Sequence, residues 1–230
     1  MIGIIGAMDI EVESIKSLLT DTYEENISGV NFVCGKFKKK DVVVAKCGVG
    51  KVFAALCAEA MILKFNPEMI INVGVAGCLD VSLKIGDIVI ADSVVQHDMD
   101  TSPLGDPVGM LSDINIIKIP ADENICNVLK KSVEALGISH SVVTIASGDQ
   151  FVADNSKKQF IIDSFGAKSC EMEGGAIGHV CYVNKIPFGV LRSMSDGADD
   201  GADMDFPTFA RLAAENSTKV INKFLSEIQE

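Results

Sequence analysis

Residues 69–77 read MIINVGVAG, a short apolar run that leads directly into a group of small residues. The apolar part has the length and composition of a buried β-strand, and the small residues after it are typical of a tight turn. Helical periodicity precedes this stretch over 51–65, and another apolar run follows it at 88–91. Short apolar runs that alternate with helical segments in this way indicate an α/β protein.

The same pattern extends in both directions from this stretch. Further strands are predicted at 2–5, 42–45, 142–145 and 189–194, and further helices at 9–19, from about Gly174 and near the C-terminus. Residues 97–121 are rich in Asp, Pro and Gly and predict a long loop, which in a compact protein usually serves a function or an interface. No repeat or Pro/Gly/Ser-rich linker interrupts the chain, so we expect a single domain over 1–230.

The composition excludes several classes of function. The formal net charge is −12 at pH 7, so neither nucleic acid nor an anionic membrane is an expected partner. The seven cysteines contain no CxxC pair and the three histidines lie far apart, so we expect reduced thiols and no metal site. The first apolar run follows no basic segment, which favours a cytoplasmic location. The hydrophobic fraction of 48% indicates a subunit interface.

Acidic residues and glycine recur where the predicted strands end. Glu11 and Gly77 follow two of these strands, and Asp149 and Asp196 follow two others. In open α/β sheets, ligands bind beyond the carboxyl ends of the strands. We therefore expect these residues to lie around one site. A Rossmann-type dinucleotide site is excluded, because no GxGxxG motif follows the first strand.

Several segments at or near these strand ends form an ordered set of motifs. They are GIIGAM at 3–8 followed by Glu11, NVGVAG at 72–77, GDIV at 86–89, HD at 97–98, SGDQF at 147–151, EME at 171–173 and RSMSD at 192–196. Together they resemble the 5′-methylthioadenosine/S-adenosylhomocysteine nucleosidases over nearly the whole chain. The resemblance implies a nucleoside phosphorylase-like fold, a three-layer αβα sandwich around a mixed, partly barrel-like sheet. It also implies a cytoplasmic homodimer that needs no cofactor.

The reaction implied by the resemblance is hydrolysis of the bond between adenine N9 and ribose C1′. Adenine leaves poorly as an anion, so an acid must act at N7, and the ribosyl cation left behind needs an activated water. By resemblance, Asp196 is the acid, with Ser195 beside it to orient it, and Glu11 activates the water. Glu173 resembles the carboxylate that accepts from both ribose hydroxyls. The residue types alone also fit a turn at Asp196 and a helix first turn at Glu11.

Further residues are assigned to the substrate by the same resemblance. Phe151 stacks on adenine, and the backbone of Val152 binds its edge. Gly77 permits a close approach of the backbone to the ribose. Arg192 orients Glu11 or the water, with a plain ion pair as its alternative role. The remaining positions are Ala7, Met8, Val49, Val75, Ala76, Glu171, Met172 and Phe206. The alternative role of Glu171 is to cap a helix, and the alternative for Met172 is a place in the core.

Two segments depart from the family pattern. Val75 stands where many relatives have a hydroxyl residue, which puts one contact to the water or sugar in doubt. Residues 101–107 lack the aromatic residue of the corresponding family loop. In the family this loop reaches the partner's pocket, so we expect 97–121 to lie there. The preference among 5′-methylthioadenosine, S-adenosylhomocysteine and 5′-deoxyadenosine therefore stays open.

Three other functions remain alternatives. A purine nucleoside phosphorylase would use phosphate instead of water, but phosphate sites favour arginine and this chain has only Arg192 and Arg211. A hydrolase for another purine nucleoside, such as a futalosine-type substrate or inosine, is the second alternative. The third is a nucleoside-binding protein without chemistry, against which the combination of Glu11, Glu173 and Asp196 argues.

Overall fold

A mixed sheet forms the centre of the computed structural model, which describes residues 1–195 and 206–228, apart from the side chains of 206–210. Its strands in the described ranges are β1 (Ile2–Gly6), β2 (Thr20–Ile27), β3 (Val30–Phe37), β4 (Lys40–Lys46), β5 (Met69–Cys78), β6 (Ile88–Gln96), β7 (Ile119–Pro120), β8 (His140–Ser147), β9 (Ser169–Glu171) and β10 (Phe188–Met194). The helices are α1 (Asp9–Lys16), α2 (Lys51–Phe65), α3 (Glu123–Ala135), α4 (Asn155–Phe165), α5 (Gly174–Asn184) and α6 (Phe206–Glu227).

The sheet is closed at one end and open at the other. The strand order is β10-β6-β8-β9-β5-β1-β4-β3-β2, and β10 also pairs with β5. Strands β10, β6, β8, β9 and β5 therefore form a barrel-like ring, from which β1 and β4 continue as parallel neighbours. Strands β3 and β2 extend the open end in antiparallel pairs. This topology confirms the mixed, partly barrel-like sheet that the family resemblance implies.

Helices cover both faces of the sheet. Because successive residues of a strand point to opposite faces, Ile4 and Ile5 of β1 belong to two different core clusters. Ile5 packs in the cluster that contains Met61 of α2 and Ile177 of α5. Ile4 packs in the cluster that contains Phe224 of α6, together with residues of α1 and α3. The apolar surface buried on both faces stabilises the three-layer arrangement.

Strand β5 differs from the sequence prediction. A turn was expected at 74–77, but β5 continues through these residues to Cys78. Its later part pairs with β10, where Gly74 lies opposite Arg192, and with β9, where Gly77 lies opposite Cys170. Pairing on two sides outweighs the low strand propensity of glycine, so the turn prediction is wrong. The helix predicted at 9–19 is also shorter, since α1 ends at Lys16.

Residues 97–121 form a long, mostly irregular connection, as predicted. They contain a 3₁₀ turn at Ser102–Leu104, a bridge between Leu111 and Ile116, and the short strand β7. The Leu104 side chain is largely exposed at this turn. Within the described ranges, no helix is long and apolar enough to cross a bilayer, and no group of three His, Cys, Asp or Glu residues could hold a metal ion.

Candidate active site

A cavity of about 240 Å³ opens where several strands of the sheet end. Its wall is formed by residues that end or follow β1, β4, β5, β8, β9 and β10, which is the edge expected for a ligand site. The lining residues are Ala7, Met8, Glu11, Val49, Val75, Ala76, Gly77, Gln150, Phe151, Val152, Cys170, Glu171, Met172, Glu173 and Ser195.

The cavity brings together most of the residues selected from the sequence. Two described residues are exceptions: Arg192 is fully buried and does not line the cavity, and Asp149, expected at the site because it follows a strand, is also absent from the lining. Asp196 and the side chain of Phe206 lie outside the described part of the chain. Gln150 and Cys170 line the cavity but were not selected from the sequence. The available signal was that Gln150 is part of the SGDQF motif and that Cys170 directly precedes the EME motif.

Glu11 is fixed by three backbone N–H groups. It lies in the first turn of α1 and is only 3% exposed. Its Oε2 accepts from the N–H of Ala7 (2.7 Å) and of Met8 (2.9 Å), and its Oε1 accepts from the N–H of Val75 (3.0 Å). These bonds set the direction of both carboxylate oxygens at the cavity wall. Glu11 is therefore not the surface residue that its place in a helix first turn allowed.

Arg192 forms a buried ion pair beside the cavity. Its Nη2 donates to the carboxylate of Glu171 and to Asn72 Oδ1, the latter at 2.6 Å. The same Nη2 lies 3.6 Å from Glu173 Oε2. Burial lowers the pKa of Arg192, but the charges of Glu171, Glu173 and Glu11 outweigh burial and raise it overall. The ion pair proposed as its alternative role is present, and the guanidinium organises the carboxylates around it.

Glu171 caps helix α5 as well as lining the cavity. Its Oε2 accepts from the N–H of Glu173 (3.0 Å) and of Gly174 (2.8 Å), and its Oε1 accepts from the hydroxyl of Ser147. A carboxylate at a helix N-terminus is favoured by the free N–H groups there. With Arg192 on the same oxygen, both oxygens of Glu171 have partners inside the protein.

Glu173 is a buried carboxyl in the cavity wall with a raised pKa. It is 5% exposed, and its Oε1 accepts from the N–H of Gly50 at 2.9 Å. Burial, followed by the charge of Glu171, outweighs the opposing effects of Arg192 and the Gly50 N–H, and the pKa of Glu173 is raised to about 7. Because the buried carboxyl is costly to ionise, hydrogen-bond donors or a positive charge on a ligand would stabilise its ionised form, and this would favour binding of the ligand.

Gly74 permits the close approach of Arg192 and Glu11. A Cβ at this position would overlap Arg192 Nη1 and come within 2.6 Å of Glu11 Oε1. Backbone N–H groups of β5 could not reach Glu11 in the same way if a side chain filled this space. The absence of a side chain at position 74 is therefore a condition for the arrangement of the charged residues.

The cavity has an apolar entrance. Phe151 is 74% exposed and Val49 is 51% exposed, although both are large hydrophobic residues. Exposed apolar side chains at the mouth of a cavity are typical of a site for a flat or apolar ligand. Phe151 is therefore not the core residue that its position after a strand allowed. Ser195 also lines the cavity, and its N–H donates to the carbonyl of Ala76 at 3.1 Å.

Comparisons with known proteins agree with this geometry. The family model of the phosphorylase superfamily matches residues 1–226. The 5′-methylthioadenosine/S-adenosylhomocysteine nucleosidase of Shewanella loihica is 36% identical over 229 residues, which are 99% of each chain. A mutant of the Helicobacter pylori nucleosidase, solved with 5′-methylthioadenosine in its active site, is 36% identical with a TM-score of 0.94, over 99% of this chain and 98% of that one.

A futalosine hydrolase is equally similar in structure. The native enzyme of Helicobacter pylori is 36% identical with a TM-score of 0.94, over 99% of this chain and 97% of that one. Sequence, fold and cavity agree, and this chain belongs to the phosphorylase superfamily and, within it, to the 5′-methylthioadenosine/S-adenosylhomocysteine nucleosidases.

Proposed function

We propose that this protein is an N-glycosyl hydrolase that cleaves 5′-methylthioadenosine and S-adenosylhomocysteine into adenine and a 5′-thioribose sugar. The observation that carries the proposal is Glu11, a buried carboxylate held by three backbone N–H groups in the wall of a cavity. A second carboxylate, Glu173, and the exposed ring of Phe151 line the same cavity. The curated relative from Shewanella loihica carries the name of this activity.

Each part of the reaction has a residue of suitable chemistry. Glu11 takes a proton from the attacking water, and such a general base contributes about 10²–10⁴-fold. Glu173 accepts from the ribose hydroxyls and stabilises the positive charge that develops on the sugar. Phe151 lies against the base. Asp196 protonates N7 of adenine, a role that rests on the family resemblance.

Water is favoured over phosphate as the nucleophile by the charges around the cavity. The described lining residues include Glu11, Glu171 and Glu173, and no lysine or arginine. Arg192 is already engaged by Glu171 and Asn72. A phosphate dianion would therefore meet carboxylates without a free cation, whereas an oxocarbenium-like transition state gains from them.

A futalosine hydrolase is the second candidate. The Helicobacter pylori futalosine hydrolase resembles this chain as closely as the nucleosidase mutant does, at 36% identity and a TM-score of 0.94. A panel of nucleosides that includes futalosine and 5′-methylthioadenosine separates the two candidates.

The proposal includes a homodimer. Helix α2 presents exposed apolar side chains, including Val52, Phe53 and Leu63, which are 76%, 58% and 76% exposed. Apolar surface of this extent on one helix is typical of a subunit interface. We place the 97–121 loop near the partner's pocket, and we propose one domain over 1–230 that works in the cytoplasm without a cofactor. Sedimentation of the Val52→Lys/Phe53→Lys variant tests the dimer.

Adenine release from 5′-methylthioadenosine tests the function. The assay is run in phosphate-free buffer and again with phosphate, with Asp196→Asn as the blank. Release that needs no phosphate and collapses in Asp196→Asn supports the proposal. Release only with phosphate would identify a phosphorylase. S-adenosylhomocysteine, 5′-deoxyadenosine, inosine and futalosine complete the panel, and a binding protein without chemistry would cleave none of them.

A further inference from the structure

Three hydrogen bonds outside the cavity form a closed ring among Lys51, Asp98 and Asp149. The backbone N–H of Lys51 donates to Asp149 Oδ1 at 2.7 Å, and the backbone N–H of Asp149 donates to Asp98 Oδ2 at 2.9 Å. The Lys51 ammonium donates to Asp98 Oδ1 at 2.6 Å, which closes the ring. The three residues belong to the start of α2 and to the segments after β6 and β8. None of them lines the cavity.

The ring adjoins the cavity on two sides. Asp149 directly precedes Gln150, Phe151 and Val152, which line the cavity and belong to no helix or strand. Gly50 directly precedes Lys51 and donates its N–H to Glu173 Oε1 at 2.9 Å. The ring therefore joins the segment that carries Phe151 to the helix end that holds Glu173.

The ion pair in the ring is partly shielded from water. The side chains of Lys51 and Asp98 are each 18% exposed, so their attraction is screened less than that of an exposed pair. Burial raises the pKa of the Asp98 carboxyl, but the Lys51 ammonium and the Asp149 N–H outweigh it and lower the pKa overall. The imidazole of His97 packs against Gly148, where a Cβ would overlap the ring, so this contact also holds the segment in place. Asp98 is thus placed to fix the start of the 148–152 segment.

We propose that Asp98 and Lys51 are positioning residues that hold the 148–152 segment at a set distance from Glu173, so that base and sugar are bound together. The inference rests on the proposed function, because it takes the purine base to lie against Phe151. Neither residue contacts the reacting atoms. Loss of the ring should therefore weaken binding of the base while the chemical step is largely kept.

The Asp98→Asn variant tests this proposal, because Asn can still accept from Asp149 but no longer pairs with the Lys51 charge. We expect the KM for 5′-methylthioadenosine and the Kd for adenine, measured by calorimetry, both to rise roughly tenfold, since one charge-assisted hydrogen bond is lost. Binding of 5-methylthioribose, which has no base, should not change, and kcat should fall less than about threefold. Lys51→Gln should give the same pattern, and the double variant should be no worse than either single one.

Asp80→Asn is the matched control. Asp80 also accepts from one lysine, Lys168, at 2.8 Å and from one backbone N–H, that of Ser82, at 2.9 Å, and none of these three residues lines the cavity. Hydrogen exchange of 148–154 in the ligand-free protein gives a readout without turnover. It should be faster in Asp98→Asn and unchanged in Asp80→Asn.

Two results would overturn the proposal. One is that Asp98→Asn shows the same Kd for adenine and the same hydrogen exchange of 148–154 as Asp80→Asn. The other is an equal loss of 5-methylthioribose binding, which would indicate general damage to the fold. A wild-type protein that cleaves no nucleoside would refute the proposed function instead, and the adenine and exchange measurements would still decide the role of the ring.

Discussion

Replacing Glu173 by glutamine should make the ligand-free protein more stable at alkaline pH. Glutamine has the shape of the protonated carboxyl and cannot ionise. Its amide oxygen can keep the hydrogen bond from the Gly50 N–H. The change therefore removes one buried negative charge from the neighbourhood of Glu171 without opening a cavity.

The magnitude follows from the pKa of Glu173. In the folded protein it is raised from 4.5 to about 7. Between these two pH values the carboxyl is protonated in the native state and ionised in the unfolded chain. The free energy of unfolding therefore falls as the pH rises from 4.5 to 7, and the favourable contribution is complete only below this window. The total loss is on the order of 3 kcal/mol, because each pH unit is worth about 1.4 kcal/mol. About 2 kcal/mol of this falls between pH 5 and pH 8.

Urea unfolding of the two proteins at pH 5 and pH 8, without ligand, measures this difference. Relative to wild type, Glu173→Gln should gain about 2 kcal/mol on going from pH 5 to pH 8. Glu13→Gln is the control, because the Glu13 side chain is 61% exposed and should show no such gain. Parallel pH dependence in wild type and Glu173→Gln would show that Glu173 titrates normally, and the reasoning about the buried charges would then be wrong.

Three further changes test the charged residues. Glu11→Gln should lower kcat for adenine release by about 10²–10⁴-fold, since it removes the general base, and should lower the free energy of unfolding by about 1–3 kcal/mol, because the amide nitrogen cannot accept from the backbone N–H groups that hold Glu11; a kcat within a few-fold of wild type would exclude the general-base role. Arg192→Met leaves Glu171 buried without its cation and should lower the free energy of unfolding in urea by about 3–5 kcal/mol; an unchanged value would show that the carboxylates do not depend on it. Gly74→Ala pushes a methyl group into Arg192 and Glu11, so thermal unfolding should show a loss of about 1–3 kcal/mol, together with lost activity; retention of both would contradict the close packing described here.

The central strands could be predicted from the sequence because buried parallel strands read as continuous apolar runs. β2 gave no such signal: it is polar, mostly exposed and lies at the edge of the sheet, so its pairing with β3 is not visible in its composition. α3 was missed although Asp122 caps it and Ile125, Leu129 and Val133 recur on one face. That helix was predictable from cap and period.

The candidate site was predicted mainly by family resemblance. Residue type and position alone left Glu11 open between a surface residue in a helix first turn and a catalytic role, and its burial excludes the surface position. The ring of Lys51, Asp98 and Asp149 could not be predicted, because its members are joined by folding across distant segments. Local patterns do not encode such contacts, and the turn wrongly predicted at 74–77 failed for the same reason.

The pairing of β5 with β10 has a consequence for synthesis of the protein. Arg192 reaches Asn72 across 120 residues of sequence, and Glu173 reaches Gly50 across 123. At about 5–20 residues per second, a ribosome takes on the order of ten seconds to translate such an interval. During that time the edge of β5 that pairs with β10 lacks its partner, and unpaired strand edges on a partly folded chain are prone to aggregate. The site can therefore act on substrate only after β10 has emerged, and a translation arrest before Arg192 would release no partly active enzyme.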